Sequence, residues 1–395
     1  MNLENDCGKR CIVAQNRSMR FLIFFILVGM FLTGCVATQR LVYENPLLYT
    51  SEGSDCSLLV VRGNNGRYGY CNPAGKIVIE PIYQKARPFH EGLAAVQKDG
   101  RFGYIDKSGA VVVKFQFIDA LDYHNGKALV GTAVDTKQEN SYVKLERVKY
   151  SLIDQNGAIL RDTDLHLIGD YSEGLAPALT DEGYFFLDEN YALHTLLPES
   201  YSFYSGPVFH EGLALVRKEV SSKVKFFFIN QSGDAVIDND CYSAQPFSDG
   251  LAPLAPNADT KLWGYIDQNG IFVIEPKFMN AYGFGEGIAC AKEPDGDWIV
   301  INKKGQEVTT IQAEFDVAKT FHDGLCAVGQ VKKGQMSADF HDQFYNWGFI
   351  DTTGKLVIDF QYDLVTPFKN GIAQVLVDGK IGYIDKAGKY IWEPQ

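Results

Sequence analysis

Four histidines stand at one recurring place in this chain: His90, His124, His210 and His322, each after Phe or Tyr and close to a turn glycine. Imidazole is the commonest protein metal ligand, so a ring of them could hold an ion. Each lies in a different stretch of sequence, however. They are expected to be exposed turn residues too far apart to share a metal, so no metal site is assigned. A second set is acidic. Asp106, Asp154, Asp267, Asp351 and Asp385 each precede a glycine by three residues, and Asn72, Asn230 and Asn302 open the same pattern elsewhere. Carboxylates do general acid and base work, but Asp or Asn followed by Gly at this spacing is also the signature of a type I turn. The turn reading is preferred. No Gly-x-Ser-x-Gly, His-Glu-x-x-His, phosphate loop or dinucleotide fingerprint is present. No enzymatic activity and no cofactor are expected. Carboxylates paired only in space keep one alternative open, a hydrolase or lyase acting on envelope polysaccharide.

The cysteines carry the other chemistry. Residues 21–31 are an uninterrupted apolar run, preceded by Arg17 and Arg20 and followed by Leu32-Thr33-Gly34-Cys35. The run is short for a membrane-spanning helix and fits the apolar core of a signal peptide. The four residues resemble the bacterial lipobox, in which cleavage precedes the cysteine and its thiol is acylated. The resemblance implies a signal peptide at 1–34 (with Met19 an alternative start), a lipidated tether at 35–40 and a repeat domain at 41–395. It also implies an exported protein held to a membrane through lipid on Cys35. Val36, in place of Asp, favours the outer over the inner membrane in a two-membrane cell. Export would permit disulfides. Cys56 and Cys71 are close enough to meet across one hairpin. Cys241, Cys290 and Cys326 sit at apolar positions of separate repeats and are expected to be buried thiols.

What must position these groups is a repeat. Glu91-Gly92-Leu93-Ala94 returns as Asn125-Gly126-Lys127-Ala128, Glu173-Gly174-Leu175-Ala176 and Glu211-Gly212-Leu213-Ala214. It returns again at Asp249-Gly250, Glu286-Gly287, Asp323-Gly324 and Asn370-Gly371, with spacings of 34, 48, 38, 38, 37, 37 and 47 residues. Periods of this size mark solenoids, propellers and arrays. Within 81–114 the pattern reads as four short strands: an extended stretch from Tyr83, a second strand Leu93 to Gln97, a third at Phe102 to Asp106 and a fourth from Ala110 to Lys114. The turns are His90-Glu91-Gly92, Asp99-Gly100 and Lys107-Ser108-Gly109, which predict an antiparallel meander. The third strand carries Tyr68-Gly69, Phe102-Gly103, Trp263-Gly264, Trp347-Gly348 or Ile381-Gly382. A strand glycine marks a close approach, and an aromatic ring from the neighbouring unit is the expected intruder. Phe185, Phe227 and Ile299 replace it in three units, where packing should differ.

The strings Trp263-Gly264-Tyr265-Ile266-Asp267 and Trp347-Gly348-Phe349-Ile350-Asp351, with the Glu-Gly-Leu-Ala phrase after them, resemble bacterial WG repeats, also called KWG repeats. The resemblance covers roughly 41–395 and implies a surface-exposed or envelope binding repeat without catalytic residues. Units begin near 41, 81, 115, 162, 198, 239, 276, 313 and 360. The fold class is therefore all-β, a tandem array of about nine four-stranded antiparallel meanders of ~37 residues, closed as a β-propeller-like ring or open as a β-solenoid. Two long insertions, 131–148 and 329–346, replace the second turn of their units, and smaller ones at 219–224 and 256–261 do the same. Insertions on one face often mark a binding face. The candidate contact residues there are Tyr142, Lys144, Arg147, Phe340, His341, Phe344 and Tyr345, for an unidentified envelope protein or glycan. A formal charge of −12 argues against nucleic acid. The aromatic clusters at 184–186, 201–204 and 226–228 fit core packing better than a stacking platform.

Overall fold

The computed structural model describes residues 55–134, 147–169, 171–197, 201–202, 208–220, 223–256, 259, 261–333 and 342–395. Nine small antiparallel sheets follow one another along the chain as a nine-bladed β-propeller. That exceeds the usual four to eight blades. Blade 2 shows the plan: Lys85–Ala86, Leu93–Lys98, Arg101–Asp106 and Val111–Phe117 pair in sequence order. The first strand is short and inner. The last forms the rim, and its alternate residues, such as Val112, face solvent while Val113 and Phe117 face the core. Apart from one 3-10 turn at Asp342–Phe344, the regular structure among the described residues is strand. None of those residues forms a helix long and apolar enough to cross a membrane.

The ring closes. Tyr383 of blade 9 donates its hydroxyl hydrogen bond to the carbonyl of Val60 in blade 1, at 2.9 Å. Val61 and Cys71 of blade 1 share a buried cluster with Leu364, Leu376 and Ile381 of blade 9. Gly75 of blade 1 lies so close to Ile391 of blade 9 that a Cβ there would come within 2.2 Å of the Ile391 carbonyl oxygen. The open solenoid is thereby excluded.

The local chemistry explains the repeat. His90 and Leu93 exchange both backbone hydrogen bonds across Glu91 and Gly92, which have φ of 50° and 82°. This two-residue turn has positive φ at both centres, as a type I′ hairpin requires. The third turn is also as expected. Asp106 Oδ1 accepts from the amides of Ser108 and Ala110, while Gly109 donates to the Asp106 carbonyl. Those amides and the Ser108 hydroxyl hold the Asp106 carboxyl below its ordinary range. The carboxylate is a turn former.

The strand glycine has a different reason from the one expected. Phe102 pairs with Phe117 and Tyr104 with Val113, so Gly103 alone of the third strand lies opposite three residues of the fourth. The fourth strand bulges, and a Cβ on Gly103 would lie 2.5 Å from the Val113 carbonyl oxygen. Gly69, Gly264 and Gly348 meet the same backbone oxygen of their own rim strands, at 2.4, 2.4 and 2.5 Å. The intruder is main chain of the same blade, not a neighbour's ring. Opposite Phe185 and Ile299 this double bulge is absent, whereas blade 5 keeps it opposite Phe227. The bulge also lengthens the rim strand, so Tyr83 ends blade 1 rather than opening blade 2. Bulges and prolines such as Pro81 and Pro276 protect a rim of exposed edges from pairing with other chains.

Candidate functional site

Adjoining blades are joined by a clasp. The carboxylate of each first turn reaches forward to the amides of the next first turn. Glu91 accepts from Asn125 and Gly126 at 2.7 and 2.8 Å, and Glu173 from Glu211 and Gly212. Glu211 accepts from Gly250, Asp249 from Gly287, Glu286 from Gly324, and Asp323 from Gly371. An aromatic pair lies beneath it, as in Tyr70 on Phe89, Tyr104 on Tyr123 and Tyr265 on Phe284, with ring centroids 4.7–4.8 Å apart. The hydroxyls of Tyr70, Tyr104 and Tyr265 donate to the inner-strand carbonyls of Arg87, Leu121 and Tyr282 in the next blade.

The seam between blades 3 and 4 breaks this pattern. Asn125 stands where a clasping carboxylate would be, and its amide donates to the Glu189 carboxylate of blade 4 at 3.2 Å. The third turn of blade 4 has Tyr191 where its counterparts have glycine, at φ 63°. A bulky side chain in that region is strained, which makes the position a marker of special duty. Tyr191 is buried, and its hydroxyl donates across the seam to the Lys127 carbonyl at 2.9 Å. Arg161 donates to the Tyr191 carbonyl.

Charged groups gather behind it. Arg87 and His90 of blade 2 and Asp122 of blade 3 are buried in an interior otherwise nearly all apolar. Arg87 Nη1 lies 3.2 Å and His90 Nε2 3.7 Å from Asp122 Oδ2. Asp122 replaces the proline found in blades 2, 6 and 9, at Pro88, Pro246 and Pro367. The His90 ring is 5.7 Å from His124, and His124 is 4.4 Å from Tyr171. Burial lowers the pKa of His124, and His90 adds to that; Asp122, Glu91 and Glu189 oppose it. The imidazole is therefore held toward its neutral form. In front opens a pocket of about 720 Å³ lined by His124, Tyr171, Glu173, Asp188, Glu189 and Asn190. It offers an aromatic wall, carboxylate acceptors and a side-chain amide. Asp188 is raised by burial, but hydrogen bonds from His194 and the amides of Ala192 and Asn190 outweigh this and leave its pKa below the ordinary value.

His90 and His124 are therefore not exposed and distant, as the sequence suggested. The seam between blades 2 and 3 folds them together, while His210 and His322 remain exposed turn residues. Among the described residues no group of His, Cys, Asp and Glu is arranged to hold a metal ion. The insertions do replace second turns, between Lys127–Val134 and Arg147–Asp154 and between Leu325–Val331 and Tyr345–Asp351. Tyr142, Lys144, Phe340 and His341 lie outside the described residues, as do Cys35 and the side chain of Arg147. Phe344 is half-buried and packs against the core of blade 8, and Tyr345 is buried there against Trp347, with ring centroids 5.8 Å apart. No disulfide joins Cys56 and Cys71; burial pushes the Cys71 thiol up to about 11. Cys241, Cys290 and Cys326 are buried, as expected. Phe186, Phe227 and Phe228 are core residues.

The model of the WG containing repeat matches residues 68–102, 102–131, 263–298, 300–333 and 347–380. No curated relative matches the chain. Among solved structures, a crystal structure of the eukaryotic initiation factor is similar at 9% identity and TM-score 0.50, over 84% of this chain and 93% of that one. The crystal structure of BamB from Moraxella catarrhalis aligns at 13% identity and TM-score 0.37, over 85% and 97%. At these identities the likeness concerns the fold alone. The chain thus carries five matched WG containing repeats, in a ring completed by further units of the same plan.

Proposed function

We propose that this propeller is a binding module of the cell envelope, exported, held to a membrane through lipid on Cys35, and taking a glycan in the pocket between blades 3 and 4. The observation that carries the binding role is the pocket itself. It opens at the seam where the clasp is missing and the turn glycine is replaced, next to the charges buried between blades 2 and 3. Six other seams repeat one clasp without these departures. The lining favours a sugar. Tyr171 and His124 present ring surface for stacking, and the carboxylates and Asn190 offer acceptors and donors for hydroxyls. Glu173, Asp188 and Glu189 disfavour an anionic saccharide. The low pKa of Asp188 and the pairing of Glu189 with Asn125 suit holding a ligand better than protonating a leaving group.

The test uses the full chain solubilised in detergent and a panel of neutral and amine-bearing oligosaccharides, read by calorimetry. Tyr171→Ala and Glu189→Gln are expected to weaken binding about tenfold or more each. Unchanged binding in both variants would move the site to the opposite face, where the insertions lie. The anchor is tested separately. A Cys35→Ala chain that still takes up a labelled fatty acid would refute lipidation there.

A further inference from the structure

A thiol pair lies on the far side of the ring from the broken seam. Cys290, in Ile288–Lys292 of blade 7, and Cys326, in Leu325–Val331 of blade 8, point at each other across one seam with their sulfurs 3.9 Å apart. Both are wholly buried. Cys326 occupies the place held by Ala94, Ala128, Ala176, Ala214, Ala252, Ala289 and Ala373 in other blades. The surroundings are Trp298, Val300, Phe321, Val328 and Ile350, which offer no ligand for a metal. Two thiols at facing positions of a single seam, one of them where the repeat otherwise specifies a methyl group, need a reason beyond packing.

We propose that Cys290 and Cys326 form a disulfide that staples blade 7 to blade 8 when the chain folds in an oxidising compartment. The oxidant is another disulfide, that of a thiol oxidoreductase or of glutathione. One cysteine thiolate attacks it and forms a mixed disulfide, and one sulfur of the oxidant leaves as thiolate. The second cysteine thiolate then attacks the protein sulfur of that mixed disulfide and expels the remaining oxidant sulfur. Two thiol protons are released, two electrons pass to the oxidant, and its disulfide becomes two thiols. The sulfurs must close from contact distance to about 2 Å, which side-chain rotation within the shared cluster can supply.

The geometry also sets the timing. Inside the closed seam neither sulfur is exposed, and the hydrogen bond with Cys326, together with burial, holds the Cys290 thiol in its unreactive protonated form. Exchange must therefore occur while blades 7 and 8 are still apart. A chain folded under reducing conditions should stay reduced when oxidant is added later.

Formation in the cell rests on the proposed export, but the chemistry can be tested without it. The full chain is denatured, reduced and refolded in a mixture of glutathione and glutathione disulfide. Remaining thiols are alkylated after denaturation, and the product is cut with trypsin. Most molecules should yield residues 278–292 joined to 320–332, separating on reduction. Chain refolded with reductant and then exposed to the same oxidant should give under a tenth of that product. Cys326→Ser should abolish the joined species and leave Cys290 alkylated. Recovery of both peptides alkylated from folded, oxidant-refolded chain would overturn the proposal, as would pairing of either cysteine with Cys241. The same mapping on chain isolated from the host envelope separates the two claims. A joined pair in vitro with free thiols in the cell would support the staple and count against export.

Discussion

The seam between blades 6 and 7 and the seam between blades 3 and 4 are built from the same repeat positions and use them differently. At the first, Asp249 clasps Gly287, Gln245 donates to the Ala281 carbonyl, and Tyr265 stacks on Phe284 while its hydroxyl bonds Tyr282. Gly305 of the third turn lies against Ile274 of the preceding rim strand. Each residue there fixes how one blade sits on the next. At the second, Asn125 and Tyr191 occupy comparable positions, yet they bond Glu189 and the Lys127 carbonyl beside a pocket bordered by His124, and the buried charges of Arg87, His90 and Asp122 lie next to it between blades 2 and 3. A repeat satisfies the fold many times over, so one seam can give up its locks without losing the ring.

The most severe break is expected inside blade 6, which forms one side of the regular seam. Gly264→Val would push a Cβ to within 2.4 Å of the Ile274 carbonyl oxygen and 2.8 Å of the Pro276 nitrogen. Main chain cannot yield as a side chain can, and the cost should be at least about 4 kcal/mol. Loss of the cooperative melting transition would be the observed result. A variant that melts like the parent would mean the rim bulge is not held against this strand.

The next effect belongs to the charge cluster between blades 2 and 3, beside the broken seam. Arg87→Ala removes one partner from a buried ion pair and should destabilise by about 3 kcal/mol, because Asp122 loses its nearest cationic partner in a place with little water. Arg87→Met combined with Asp122→Leu should recover most of the loss. If the cluster serves the pocket rather than the fold, the double variant will be stable yet bind the ligand poorly. A double variant as stable and as active as the parent would remove the cluster from the site.

A smaller pair of substitutions exchanges the characters of the two seams. Asp249→Asn opens a clasp and releases Lys303, which pairs with Asp249 at 2.6 Å, and should cost about 1 kcal/mol in chemical denaturation. Asn125→Asp alone would set a new carboxylate against Glu189, so the informative variant is Asn125→Asp with Glu189→Gln. It should gain about 1 kcal/mol and lose affinity, as a clasp forms onto blade 4 and narrows the pocket. A gain in stability with affinity intact would show that the missing clasp is incidental to binding.

Most of the ring was legible because turn chemistry is local. Glu91-Gly92 and Asp106-x-x-Gly109 show their geometry within a few residues, and their recurrence gives the blade count. The reason for Gly103 was not legible, since the bulge that crowds it is made by Val113 and Lys114 in another strand. Nor was the site. His90 and His124 were singled out for their shared repeat position, but what unites them is Asp122, which looks in sequence like an ordinary turn acid. The available signal was departure from the pattern: Asn125 for an acid, Tyr191 for a glycine, Asp122 for a proline. Seeing it required fixing the alignment of the degenerate fourth unit, whose third turn lacks the glycine that marks the others. The thiol pair was hidden for the same physical reason, because contact between blades joins residues 36 positions apart.

The finest difference between the two seams should appear in acid. Burial is the main cause that lowers the pKa of His124, so the unfolded chain, with an ordinary histidine near 6.5, binds the proton more readily than the folded one. Where the unfolded state holds more protons, stability rises with pH. The contribution of His124 is therefore complete above about pH 6.5 and falls away as the pH drops below it toward the folded value. Carboxylates elsewhere in the ring whose pKa values are lowered, among them Asp106, Asp249 and Asp351, begin to matter only below their ordinary value of 3.8, well under this window. Replacing His124 with Phe keeps a ring against Tyr171 and removes the titration. Melting temperatures of the two proteins, measured from pH 5 to 7.5, should run parallel above pH 6.5 and converge or cross below it, as only the parent pays for protonating the seam. Parallel curves throughout would mean that the imidazole takes up its proton in the folded ring as easily as in water, and the seam would then be wetter and more open than its geometry implies.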